Sequence, residues 1–137
     1  MQPAETLVAN PDGHRLFELL FGAKLAKRYT DAYMVRPDGF QDVVFGTIGP
    51  MIWFRDTLPL REKLITMLVI FASTAQDVQF KIFCRSALIH GITSKEIEEL
   101  LLLVGLETGM PRAANALDWM IATIAEHEAF LAEEGSY

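Results

Sequence analysis

Glu107 stands at the end of a stretch, Leu100 to Leu106, that is otherwise apolar apart from one glycine. Apolar walls penalise the charged form of a carboxylate, so its pKa rises and it becomes a usable general acid or base. The other reading is a helix-end carboxylate that points to water. A second group lies upstream. Gln76 and Gln79 precede Phe83 by seven and four residues, which puts all three on one helix face if that helix starts early. An amide there can bind a substrate carbonyl beside an aromatic wall; the alternative is an exposed polar turn. Trp53, Phe54 and Arg55 come just before the central apolar run. The rings suit a cavity lining and the guanidinium suits an acidic substrate, but core packing and a surface ion pair account for them equally.

Other chemistries lack their residues. Cys84 is the single cysteine, which excludes an intrachain disulfide, a four-cysteine zinc site and a two-cysteine redox site. It reads as a small buried apolar residue, and one-cysteine antioxidant chemistry is the lesser alternative. His14, His90 and His127 are scattered, without carboxylates at ligand spacing, so no metal site is expected. His14 and His127 read as exposed helix residues and His90 as a helix-end residue. There is no phosphate-cradling glycine loop and no Ser/His/Asp arrangement, so no cofactor is expected.

Composition narrows the class. The 137 residues suit one domain. They are 51% hydrophobic and only 22% charged, with a mean hydropathy of +0.23. So little polar surface points to apolar helix faces buried between subunits. The net charge of −6 argues against nucleic acid; the densest basic group, Lys24, Lys27 and Arg28, reads as a solvated helix face. The longest apolar run, Leu64–Ala72, is far shorter than the roughly 20 residues a bilayer requires. The N-terminus has no basic-then-apolar signal pattern, and a cytoplasmic location is expected.

The elements that must position these residues are all helical. Residues 1–13 read as an irregular arm. A helix follows from His14, with Leu16, Leu19, Leu20, Ala23 and Leu25–Ala26 at helical spacing and Asp12 as a cap. Val35–Phe40 is expected to turn, Gln41–Ile48 to form a short helix, and Gly49–Pro50 to break it. Thr57 is the expected N-cap of the next helix, with Pro59 in its first turn. That helix is apolar nearly all round from Leu64 to Ala72, which implies burial on every side. After a loop at Ser73–Asp77, a helix over Val78–His90 ends at Gly91, where a left-handed cap is needed. Thr93 and Glu96 have capping-box spacing and open a helix to Glu107 with Ile97, Leu100–Leu101 and Val104 inward. Gly109 and Pro111 separate it from a last helix over Arg112–Glu133.

In order and spacing, Phe45–Gly46, Leu58–Pro59–Leu60–Arg61–Glu62, Ala87–Leu88, Gly91–Ile92–Thr93, Glu96–Ile97, Glu99, Gly109–Met110–Pro111 and Ala113–Ala114 resemble the carboxymuconolactone decarboxylase and alkylhydroperoxidase D-like superfamily. Gly13 and Phe21–Gly22 resemble the decarboxylase branch more than the peroxidase branch. The resemblance implies a single all-α domain over 1–137 that forms a homo-oligomer, trimer or hexamer, with active sites near subunit contacts. The family histidine falls on Phe83, which can neither transfer a proton nor donate a hydrogen bond. The redox branch's pair of thiols is missing. The tyrosine that often precedes the Gly-x-Pro landmark is replaced by Glu107. Glu62 falls one position from where the redox branch keeps an acid, with Lys63 at the closer match.

The resemblance therefore implies a cofactor-independent lyase or isomerase, not a two-cysteine peroxidase. It would act on a small or polyketide-like carboxylic acid, lactone or enone by proton transfer next to a carbonyl. Glu107 and Glu62 are the candidate catalytic residues; Phe83, Gln79, Gln76, Trp53 and Arg55 are the candidates for binding substrate. A non-catalytic ligand-binding or assembly protein on the same scaffold is the alternative.

Overall fold

A computed structural model describes residues 11–33 and 42–137 of the chain. The described residues form six α-helices and one π-helical segment, with no strand: α1 (Pro11–Tyr33), π1 (Asp42–Ile48), α2 (Gly49–Trp53), α3 (Leu60–Ser73), α4 (Asp77–Ile89), α5 (Ser94–Thr108) and α6 (Met110–Glu134). No described helix is long and apolar enough to cross a membrane. The chain divides into two compact units, Met1–Leu58 with Tyr137, and Pro59–Ser136.

In the first unit α1 begins at Pro11, so the irregular arm expected over 1–13 gives way to helix by that residue. Proline suits a first helical position because its missing N–H has no helical partner there. Asp12 therefore lies inside the helix, not before it as a cap. The helix kinks at Gly22, whose φ of 75° and ψ of 162° are open to glycine and strained for other residues. Leu16, Phe17, Leu20, Phe21, Leu25 and Ala26 are buried, and Phe17 meets Phe21 edge-on at 5.8 Å. Both π1 and α2 pack on α1. Gly49 and Pro50 do not break structure as expected; they open α2, with proline in its first turn. The turn expected over Val35–Phe40 lies outside the described residues.

The second unit is a four-helix bundle. Its two best-formed punctuation marks were legible in the sequence. Thr93 caps α5: its Oγ1 accepts from the Glu96 N–H at 3.2 Å, and Glu96 Oε2 accepts from the Thr93 N–H at 2.9 Å. Gly91 follows α4 at φ 86°. The start of α3 differs from expectation, since Pro59 itself is the N-cap and no side chain caps the helix. Thr57 is exposed outside it. Pro59 still serves the helix through its carbonyl, which accepts from the Lys63 N–H at 3.2 Å.

Packing gives the bundle its layout. Helices α3 and α4 pack together, as do α4 and α6, α5 and α6, and α3 and α5, while α3 and α6 also touch across the middle. Helices α4 and α5 therefore sit on opposite sides with α3 and α6 between them. Helix α3 buries Leu64, Leu68 and Ala72, an i, i+4, i+8 stripe that faces its neighbours. The rest of its apolar surface is only partly covered, and Ile70 is exposed. Helix α5 buries Ile97, Leu101, Val104 and Gly105.

Candidate functional site

The site begins where α3 ends. The Gln76 N–H donates to the Phe71 carbonyl at 2.9 Å, and the Ala75 N–H to Ala72 at 3.3 Å. This double closure, a Schellman motif, turns the chain into α4 within a few residues. Gln76 becomes the N-cap of α4 and Asp77 its first residue. The helix thus starts one residue earlier than the sequence suggested, which puts Gln79 and Phe83 one turn apart with Gln76 just beyond them.

Phe83 is half-buried and stacks on Phe71 of α3, ring centroids 5.6 Å apart and planes inclined by 24°. In the turn before α4, Gln76 Nε2 donates to Thr74 Oγ1 at 2.9 Å, and both Gln76 and Gln79 are exposed. Helix α4 thus carries Gln79 in its first turn and Phe83 at its middle, with Gln76 as its N-cap, and Phe71 is a wall residue that sequence reasoning missed. Apolar residues at helical spacing in α3 are indistinguishable from core until the neighbouring helix is placed.

Glu107 is exposed in the last turn of α5. It is thus carried on the helix opposite the one bearing Phe83, and its own chain does not enclose it in apolar walls. Glu62 is exposed in the first turn of α3. The neighbouring Arg61 donates to Glu96 Oε1 at 2.5 Å, tying the starts of α3 and α5 together. That pair and the Thr93 N–H hold the Glu96 carboxyl below its ordinary range, the backbone hydrogen bond being the larger cause. Trp53 ends α2 half-buried, and Arg55 is exposed just after it. Both belong to the first unit, where the Arg15 guanidinium lies over the Phe54 ring, 4.1 Å from its centroid.

Cys84 is adjacent to Phe83 but turned into the bundle. It is fully buried, and burial pushes its thiol up to about 12 against a smaller opposing effect of the Thr123 hydroxyl. Such a thiol stays protonated at neutral pH and is a poor nucleophile. The reading of Cys84 as a small buried residue holds.

Sequence reasoning missed a polar seam between α4 and α6. Arg85, Ser86 and Thr123 are the buried polar or charged residues among those described, and all three lie on these two helices. Arg85 donates to Glu126 Oε2 at 3.5 Å, and its guanidinium lies 5.4 Å from the Phe130 ring centroid. His127, expected to be exposed, is half-buried. Desolvation, and after it the Arg85 charge, lower its pKa. The signal available in the sequence was Arg85 directly after the apolar Ile82–Phe83–Cys84 and just before Ala87–Leu88–Ile89. Among the described residues no group of three or more His, Cys, Asp or Glu side chains is placed to hold a metal ion.

A four-helix bundle whose second helix follows a tight turn, with the capping box and Gly-x-Pro corner beyond it, is the arrangement the landmark residues suggested. A sequence model of the carboxymuconolactone decarboxylase family matches residues 38–122. The chain belongs to that family. The match takes in every candidate residue from Trp53 to Glu107 but stops before Glu126, His127 and Phe130. No curated protein and no solved structure matches the chain.

Proposed function

We propose that this chain is a cofactor-independent enzyme of the decarboxylase kind within its family. It binds a small or polyketide-like carboxylic acid, lactone or enone against the Phe71–Phe83 pair. The observation that supports this reading is the stacking of Phe83 on Phe71 at 5.6 Å with Gln79 one turn before it. An aromatic wall takes the place of the family's histidine, and the exposed amides of Gln79 and Gln76 are the candidate carbonyl-binding groups. Trp53 and Arg55 stay candidates for binding substrate by residue type alone.

The reaction is proton transfer at carbon next to a carbonyl: decarboxylation, isomerisation or cyclisation. Loss of carbon dioxide or of a proton leaves an enolate, and a positioned acid returns the proton to carbon. Phe83 cannot do this; Glu107 is the first candidate and Glu62 the second, and because Glu107 is carried on the helix opposite Phe83 it would reach this substrate from a second copy of the chain. The measurement is turnover over a panel of unsaturated acids, lactones and enones. Glu107→Gln should lower turnover by roughly 10²-fold or more while leaving substrate affinity unchanged, and the pH profile should lose one limb. Unchanged turnover would remove Glu107 from the mechanism.

The exposure of both Glu107 and Glu62 favours one alternative, a non-catalytic ligand-binding protein on the same scaffold. Tight binding by the wild-type chain without turnover across the panel would establish it.

A further inference from the structure

The last carbonyls of a helix have no partner within it and must find one beyond its end. In α3 each of them does. The Ile70 carbonyl accepts from the Thr74 N–H at 3.0 Å and from Thr74 Oγ1 at 2.7 Å. Those of Phe71 and Ala72 accept from the Gln76 and Ala75 N–H groups. The Ser73 carbonyl is the one the turn leaves over. It accepts from Arg112 Nη1, 39 positions further along the chain and in the first turn of α6.

Arg112 is exposed, and among the described residues it forms no ion pair with a carboxylate. Arg61 ties the starts of α3 and α5 together, so these two helices run parallel. Their ends, with the starts of α4 and α6, therefore lie at the other end of the bundle. Asp77 in the first turn of α4 and Glu107 in the last turn of α5 are exposed there, and neither pairs with Arg112. A guanidinium has five N–H donors on a rigid plane, and the Ser73 carbonyl takes one. A planar fork of this kind binds a carboxylate through two parallel hydrogen bonds. Held already by a main-chain carbonyl, it has less freedom to lose when a ligand arrives.

The anchor point lies beside the aromatic wall. Ser73 follows Phe71, whose ring stacks on Phe83, by two residues, and two helical residues are about 5 Å apart between Cα atoms. Three residues after Ser73 comes Gln76, the N-cap of α4.

We infer that Arg112 is a specificity-determining residue of this site: it anchors a carboxylate on a ligand whose apolar body lies against Phe71 and Phe83. Resting on the reading of that wall as the binding site, the assignment narrows the ligand to one with a free acid group, over a neutral lactone or enone. It also sets Arg112 apart from Arg55, which only its residue type offers for an acidic substrate.

Cinnamate, an aromatic ring joined to a carboxylate, and methyl cinnamate, its neutral ester, are the probes. Each is titrated into the full chain and followed by NMR at the Arg112 Nε–H resonance, which reads affinity and place without any variant. Cinnamate should bind roughly fivefold or more tightly than the ester and should move that resonance, while the ester leaves it in place. Arg112→Gln should bring cinnamate down to the affinity of the ester and leave the ester unchanged; Arg112→Lys should recover part of the difference. A residue that only caps α3 would cost both probes equally or neither, and either result overturns the inference. So does a preference for the acid that Arg55→Gln removes and Arg112→Gln does not, or a wild type that binds the acid no better than the ester. Acid binding through Arg112 without turnover of any acid would support this assignment and fail the catalytic reading. Turnover of acids, lactones and enones alike, unaffected by Arg112→Gln, would do the reverse.

Discussion

Ala75 and Gly91 hold the same place in two successive helix ends. Each follows its helix in the left-handed region, at φ 55° and 86°, and each belongs to a pair of closing hydrogen bonds. The Gln76 and Ala75 N–H groups reach Phe71 and Ala72 at 2.9 and 3.3 Å; the Ile92 and Gly91 N–H groups reach Ala87 and Leu88 at 3.0 and 3.2 Å. Only one of the two residues is glycine. An alanine Cβ in this conformation crowds its own carbonyl, at a cost of roughly 1–2 kcal/mol.

Exchanging the two residue types should move stability in opposite directions. Ala75→Gly should stabilise by about 0.5–1 kcal/mol, the relief of crowding being partly offset by the freer unfolded chain. Gly91→Ala should destabilise by about 1 kcal/mol. That loss is purely a backbone effect, because nothing lies within 4 Å of a Cβ at Gly91. Urea unfolding followed by circular dichroism measures both; equal signs would contradict the shared geometry.

The capping box should make stability depend on acid pH. Glu96 has a depressed pKa in the folded chain, so its contribution is fully present above the ordinary value of 4.5. The contribution is lost as pH falls through the lower folded value. Thr93→Ala should cost about 1 kcal/mol at neutral pH and shift the Glu96 carboxyl back towards its ordinary range, since its hydroxyl no longer orders the box. Carbon-detected NMR titration of the side-chain carboxyl reads that shift directly.

Cys84 should be chemically silent in the native protein. With its thiol pushed up to about 12 by burial, an aromatic disulfide reagent should label it slowly until urea opens the bundle, and then at once. Cys84→Ala should remain folded, at a cost of about 1 kcal/mol for one lost buried atom, and keep whatever turnover the wild type has. Rapid native labelling would reopen thiol chemistry on this scaffold.

The features legible in the sequence were those whose physics acts within one helical turn. Thr93 with Glu96, Gly91 as a left-handed cap, and the common face of Gln79 and Phe83 all depend on neighbours three or four residues away. Ala75 was illegible because its conformation is imposed by the turn between α3 and α4, against its own preference. Gly49 and Pro50 carry the same local signal whether they break a helix or open one. Of the candidate site, the α4 residues were readable, but their partner Phe71 and the placement of Glu107 on the opposite helix are set by tertiary packing. Arg85 is the clearest omission, since its carboxylate partner lies 41 residues away.

Arg85 also yields the most discriminating test of the α4–α6 seam. Its side chain is 8% exposed while that of Glu126 is 69% exposed, so the two ends of the ion pair are not equivalent. Arg85→Met removes the buried charge, keeps an apolar side chain against Phe130, and leaves Glu126 in water; it should be neutral to within about 1 kcal/mol or stabilising. Glu126→Ala instead takes a carboxylate away from a charge that stays buried, and should destabilise by more. His127 reports on the same change. Arg85 is one of the causes holding its pKa below the ordinary 6.5, so in Arg85→Met that pKa should rise. In the wild type, a depressed histidine favours the folded state above 6.5 and withdraws that support as pH falls through the folded value. The variant should therefore lose less stability than the wild type over that interval. A His127 titration midpoint in Arg85→Met that matches the wild type's would show that the Arg85 charge does not reach His127.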